Sequence, residues 1–201
     1  MIKGLLGALL LISASLAYAE QSITEIVETC SGCHGNTGAS DVPMVPSIAG
    51  LPELYLQSAL TEFQDGKRPC PKMQFSVGNT YGKVTDMCRI AAELSLAEVD
   101  ALAKWYSSQT FRPARQAFNT ELAAKGRELH YKYCEGCHSR GGKQPDIDAG
   151  VLAGQWMPYL QAVMQDFRSG GRPMVDDMAR NFNQLQDEDI QALVHFYASQ
   201  Q

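Results

Sequence analysis

The chain has 201 residues, 45% of them hydrophobic and 19% charged, with a formal net charge of −5. That balance supports a buried core and excludes bulk disorder. No basic run stands out, which excludes nucleic acid as a partner, because phosphate binding needs clustered Lys and Arg.

The chain opens as an export signal. Lys3 supplies the positive start, Gly4 to Ile12 is an apolar run, and Ala17-Tyr18-Ala19 is a small-x-small cleavage pattern. The run is too short to span a bilayer comfortably, and no other segment reads as a transmembrane helix. Residues 1–19 are therefore expected to be removed, leaving a mature chain that starts at Glu20, is held by no stable membrane anchor and lies in the periplasm.

Helical patterns follow. Ile23 to Cys30 runs into Cys30-Ser31-Gly32-Cys33-His34, and Pro52 to Phe63 has helical apolar spacing. Cys70 to Asp86, rich in Pro, Gly and polar residues, reads as a loop. Ser95-Leu96-Ala97-Glu98 is a capping box that opens a helix to about Ser107. Thr110 to Asn119 reads as a linker. Glu121 to Cys134 is a helix running into Cys134-Glu135-Gly136-Cys137-His138, and helices are expected again over Met157 to Phe167 and about Asp187 to Ser199. Strand signals are weak.

The two halves are copies. Cys30–His34 matches Cys134–His138 at an offset of 104, which also holds for Ala49-Gly50, Tyr55-Leu56-Gln57 and Arg68-Pro69. Met87 to Gln109 then matches Met178 to Gln200 at an offset of 91. The difference leaves 13 extra residues in the first half, between Pro69 and Met87. The expected organisation is all-α: one domain over 20–110, a linker over 111–119 and a second domain over 120–201.

CxxCH is the sequence signal for c-type haem attachment. Two neighbouring thiols add to the two vinyl groups of one haem, and the adjacent His is held under the iron. Cys30 and Cys33 are expected to bind one haem c covalently, Cys134 and Cys137 the other, with His34 and His138 as proximal ligands. A redox CxxC would sit near a βαβ pattern, which is absent, and zinc would need further Cys or His at suitable spacing. A Met as sixth ligand raises the potential and suits electron transfer. The repeat aligns Met87 with Met178 and so singles them out as distal ligands, with Met44, Met73 and Met174 as rivals. His130 and His195 read as surface residues.

Cys70 and Cys88 flank the insertion. In an oxidising compartment they favour a disulfide closing about 20 residues, worth roughly 3 kcal/mol. The alternative makes one of them a haem thiolate ligand or a catalytic thiol. Trp105, Tyr106, Phe196 and Tyr197 are expected to cover haem edges. Tyr55, Tyr159, Arg68, Arg172, Arg89 and Arg180 are candidates to meet propionates, with solvated surface the equal alternative for the arginines. No catalytic acid, base or nucleophile constellation appears, so substrate chemistry is assigned to a partner.

The pattern Ala-Gly, Tyr-Leu, Gly-x-Arg-Pro, Met and a closing Tyr-x-Ser-Gln helix resembles the dihaem cytochromes of the c-four type. In the second half, Tyr133-Cys134-Glu135, Gly141-Gly142-Lys143, Leu152-Ala153-Gly154-Gln155-Trp156, Asp166-Phe167-Arg168, Arg172-Pro173-Met174 and Phe196 to Gln201 resemble the cytochrome subunit of flavocytochrome c sulfide dehydrogenase. The resemblance implies two tandem class I cytochrome c domains with facing haems. It also implies a partner subunit that carries FAD and oxidises sulfide, with a small periplasmic acceptor downstream. The Cys70–Cys88 loop does not match that pattern. Two other readings stand beside it: a free-standing shuttle to a terminal oxidase, and a dihaem enzyme acting on thiosulfate or peroxide.

Overall fold

Ser22 sets the first helix by a reciprocal cap: its hydroxyl accepts from the Glu25 N–H, and the Glu25 carboxylate accepts from the Ser22 N–H at 3.0 Å. From there the computed structural model describes residues 22–145 and 149–201, so the expected export signal and the start at Glu20 lie outside the described residues. Helix α1 (Ile23–His34) leads to α2 (Glu53–Gln64), the short strands β1 (Met73–Gln74) and β2 (Val84–Thr85), α3 (Met87–Ala92) and α4 (Leu96–Ser107). The second half runs α5 (Thr120–Tyr133), a turn α6 (Ser139–Gly142), β3 (Gln144–Pro145), α7 (Met157–Ser169), α8 (Asp176–Phe182) and α9 (Asp187–Ala198). The mostly helical expectation holds. The stretch read as a loop folds as an antiparallel hairpin with Met73 opposite Thr85 and Gln74 opposite Val84.

The capping box expected at Ser95 is present, and three other helices start on side-chain caps. Ser95 and Glu98 cap α4 reciprocally, Asn119 accepts from the Leu122 N–H at 2.9 Å, and Asp86 accepts from the Arg89 N–H at 2.9 Å.

Each half buries its own cluster. Ile26, Leu51, Leu56, Leu102, Ala103 and Tyr106 form one, joined by Val151 from the second half. Leu160, Phe182, Leu185, Ile190, Leu193, Phe196 and Tyr197 form the other. Full burial of one such side chain is worth about 1.5–3 kcal/mol. The duplication reaches the backbone: Gly50 N–H donates to the Tyr106 carbonyl and Gly154 N–H to the Tyr197 carbonyl, both at 2.8 Å. Gly38 (φ 84°) and Gly142 (φ 85°) make matching left-handed turns whose carbonyls each accept two N–H groups.

The halves meet through directed polar contacts. Buried Gln155 accepts from the Ser47 N–H at 3.0 Å and donates back to the Ser47 carbonyl at 2.7 Å. Trp156 donates to the Ser40 carbonyl at 2.8 Å, and the Tyr159 N–H donates to the Pro43 carbonyl. The segment read as a linker is tied down: Ala114 is buried and donates to Gly154, while Gln116 bridges Gln155 and Met157.

Candidate functional site

The two CxxCH motifs sit on different backbones. In the first half α1 continues through Cys30, Cys33 and His34. In the second, α5 stops at Tyr133 and the motif follows in a turn. Both nonetheless place the histidine alike. His34 Nδ1 lies 2.9 Å from the Pro46 carbonyl and His138 Nδ1 lies 3.0 Å from the Gly150 carbonyl, each twelve residues on. Donation from Nδ1 leaves the lone pair on Nε2, the arrangement by which a metal-ligating imidazole is oriented.

Burial pushes the Cys30 and Cys134 thiols up to about 11, and also raises Cys33. A thiol held protonated is the opposite of the depressed thiolate that a redox CxxC needs. Zinc fails as well. Among the described residues, the grouping that could offer three ligands to an ion is Cys70, Asp86 and Cys88, which includes no residue of either motif. Cys70 and Cys88 are joined as a disulfide with Cα atoms 5.8 Å apart. The donor set of each motif, two half-buried or exposed thiols beside one imidazole whose Nδ1 is engaged, fits a covalently attached haem. The buried Tyr106 hydroxyl lies beside the Cys30 thiol, as the Tyr197 hydroxyl lies beside the Cys134 thiol.

Met87 opens α3 and Met178 lies in α8, both half-buried. Of the rivals, Met44 is 46% exposed, Met73 sits in β1, and Met174 packs against the second core.

Two features were not assigned as sites from sequence. Tyr55 and Tyr159 meet across the junction beside Arg68 and Arg172, all four at least half-buried. Burial opposes ionising Tyr55, but the Arg172 and Arg68 charges outweigh it and hold the phenol below its usual range. Arg68 pairs with Glu62 at 2.5 Å and lies over the Tyr55 and Phe63 rings. The recurrence of Tyr and Arg at the 104-residue offset was the available signal. His130, read as surface, is instead fully buried between the Tyr197 hydroxyl (3.0 Å) and the Glu135 carboxylate (2.7 Å). His195 is half-buried and its Nδ1 accepts from the Asn119 N–H at 3.0 Å.

Comparison with known proteins agrees with this geometry. Residues 22–110 match the family "Cytochrome c", and residues 121–196 match "Cytochrome C oxidase, cbb3-type, subunit III". Cytochrome c4 of Stutzerimonas stutzeri is 32% identical over 83% of this chain and 82% of its own length. The thiosulfate dehydrogenase electron acceptor of Stutzerimonas stutzeri strain A1501 is 26% identical over 90% of this chain and 83% of its own. The crystal structure of reduced recombinant cytochrome c4 from Pseudomonas stutzeri superposes with a TM-score of 0.70, at 26% identity, covering 89% of this chain and 98% of that one.

Proposed function

The chain belongs to the cytochrome c4 family of dihaem c-type electron-transfer proteins, carrying two covalently bound haem c groups, and on that premise we propose that it is the electron-accepting subunit of a periplasmic sulfide dehydrogenase. Its donor in this reading is a separate FAD-containing subunit that oxidises sulfide, and its acceptor is a small periplasmic carrier. The observation that carries the electron-transfer role is the repeated His–carbonyl arrangement, His34 with Pro46 and His138 with Gly150. The second half's residue pattern, from Tyr133-Cys134-Glu135 to the closing Phe196 to Gln201, supports the sulfide partner.

When bound, each haem supplies one reversible one-electron step at its iron. The protein's residues do the rest. Cys30 and Cys33 anchor one group and Cys134 and Cys137 the other. His34 and His138 would offer Nε2 to the irons, since the carbonyls of Pro46 and Gly150 accept from Nδ1 and keep both rings in that tautomer. Met87 and Met178 would supply the thioether sulfurs that complete the two irons' coordination, a ligand set that suits electron transfer. The Cys70–Cys88 disulfide closes the segment that leads into Met87. Among the described residues no helix is long and apolar enough to cross a membrane.

A second reading, with a thiosulfate dehydrogenase as donor, is favoured by the likeness to the Stutzerimonas stutzeri acceptor. The test is stopped-flow reduction of the holoprotein, mixed with sulfide plus the flavoprotein subunit or with thiosulfate plus its dehydrogenase. Rapid haem reduction in the first mixture and slow reduction by sulfide alone is the expected result. Rapid reduction only in the second mixture moves the assignment to thiosulfate, and catalytic reduction by sulfide alone overturns the division of labour.

A further inference from the structure

The two attachment motifs differ in what lies over them. The insertion hairpin covers the first. Ser76 N–H donates to the Gly32 carbonyl at 2.7 Å, the Ser76 hydroxyl donates to it at 2.9 Å, and the Val77 N–H reaches it at 3.3 Å. Phe75 is buried against Gly32, where an added Cβ would fall 2.5 Å from the ring. Among the described residues the second motif has no such cover: Cys137 is exposed, and none of those residues lies within 4 Å of a Cβ placed on Gly136.

Beside the uncovered motif lies a groove of about 520 Å³ lined by Arg127, Tyr131, Arg140 and Lys143, with Phe196 and Gln200 at its base. It adjoins the motif through Glu135, whose carboxylate accepts from the Arg140 and Gly141 N–H groups at 2.8 and 3.1 Å. Among the described residues, none of the three cationic side chains pairs with a carboxylate; Arg127 lies over the Tyr131 ring at 5.8 Å. All three are exposed. The repeat provides an internal control. Arg127, Arg140 and Lys143 stand where the first half has Ile23, Asn36 and Ala39. A chain of net charge −5 thus gathers three cations at one place, beside its uncovered motif.

We infer that the Cys134–His138 edge is where this protein exchanges electrons with an external carrier, and that the carrier presents an acidic surface to the Arg127–Arg140–Lys143 groove. The exchange is a single electron leaving the reduced protein for the oxidised carrier, with no bond made or broken. A focused positive groove raises the encounter rate of an anionic partner even when the whole protein is acidic. The inference rests on assigning Cys134–His138 as an attachment motif and not on the identity of the dehydrogenase, so it stands or falls separately from the sulfide reading.

The experiment uses the reduced holoprotein and anionic ferricyanide as the probe, with the oxidation rate followed by stopped flow across ionic strength. The two candidate surfaces predict opposite signs: the overall negative charge makes the rate rise with salt, and the local groove makes it fall. A falling rate is expected, together with a roughly tenfold loss at low salt in Arg127→Gln/Lys143→Gln. Lys83→Gln, on the first half's hairpin, is expected to leave the rate unchanged. The proposal is overturned by a rate that rises with salt, by an unchanged rate in the double variant, or by an equal loss in Lys83→Gln. Both substituted sites in the double variant are exposed, and the native haem spectrum confirms that it is folded.

Discussion

Among the described residues, the first half covers its CxxCH motif and the second leaves its own open. In the first, α1 runs unbroken through His34, a hairpin lies on Gly32, and a disulfide holds the hairpin's base. In the second, the helix ends before Cys134, the motif turns in the open, and a basic groove adjoins it. What the halves share is therefore the better guide to what the bound group requires. Both keep the carbonyl behind the histidine, the left-handed Gly38 and Gly142 turns, and a buried Tyr beside the first Cys. What they do not share concerns access from outside. A duplicated protein can hold two chemically equivalent centres and still offer its partners a single door.

The comparison breaks most visibly at the distal ligands. Met87→Ala and Met178→Ala should each remove half of the far-red absorption that marks Met–iron bonding, while Met73→Ala leaves it whole. A variant that leaves the band intact shows that the repeat has misassigned its half.

The disulfide is particular to the first half. Cys70→Ser/Cys88→Ser should destabilise that half by about 3 kcal/mol, for a separation of 18 residues between the cysteines. Calorimetry of the holoprotein should then show the first half melting ahead of the second. Coincident melting would mean that the junction through Gln155 couples the halves into one unit.

In the second half α5 and α9 cross closely at Gly126. A Cβ at Gly126 would fall onto the Ala192 carbonyl of α9. Gly126→Ala should lower stability by about 2 kcal/mol through overpacking, measured by denaturant unfolding. Its counterpart in the first half is the exposed cap Ser22.

His130 occupies the place of Ile26. Burial pushes its pKa down, with Glu135 partly opposing. Unfolding restores an ordinary value of about 6.5, so the unfolded chain binds more protons below that pH. Stability should fall as the pH drops through this value and level off below the folded-state pKa. Melting temperatures taken between about pH 8 and pH 5 should show the decline in the native protein and a shallower one in His130→Ile.

The smallest effect is a cap. Ser95→Ala should cost about 1 kcal/mol by freeing the start of α4. In the second half Gln186 stands at that place, and the Asp189 carboxylate accepts from its N–H at 3.0 Å. Replacing Gln186 with Ala should therefore change chemical-denaturation stability by less than the Ser95 substitution does.

Much of this was written in local sequence. The capping box at Ser95, the paired CxxCH motifs, the tandem register and the pairing of Cys70 with Cys88 all depend on residues near one another or on repetition. The hairpin was not legible, because two-residue strands leave no periodic trace. His130 and His195 were misplaced for a related reason. Helical position alone does not tell what Tyr197, Phe196 or Asn119 will bring against a side chain from far along the chain.

By itself the sequence determined the fold class, the duplication and the two CxxCH motifs, because such motifs and the caps are written within a few residues. Which motif is covered, where Tyr55, Tyr159, Arg68 and Arg172 converge, and how Arg127, Arg140 and Lys143 come to share one groove were decided by tertiary structure alone. Exposure and local charge are sums over elements distant in sequence, and the chain must fold before those sums exist.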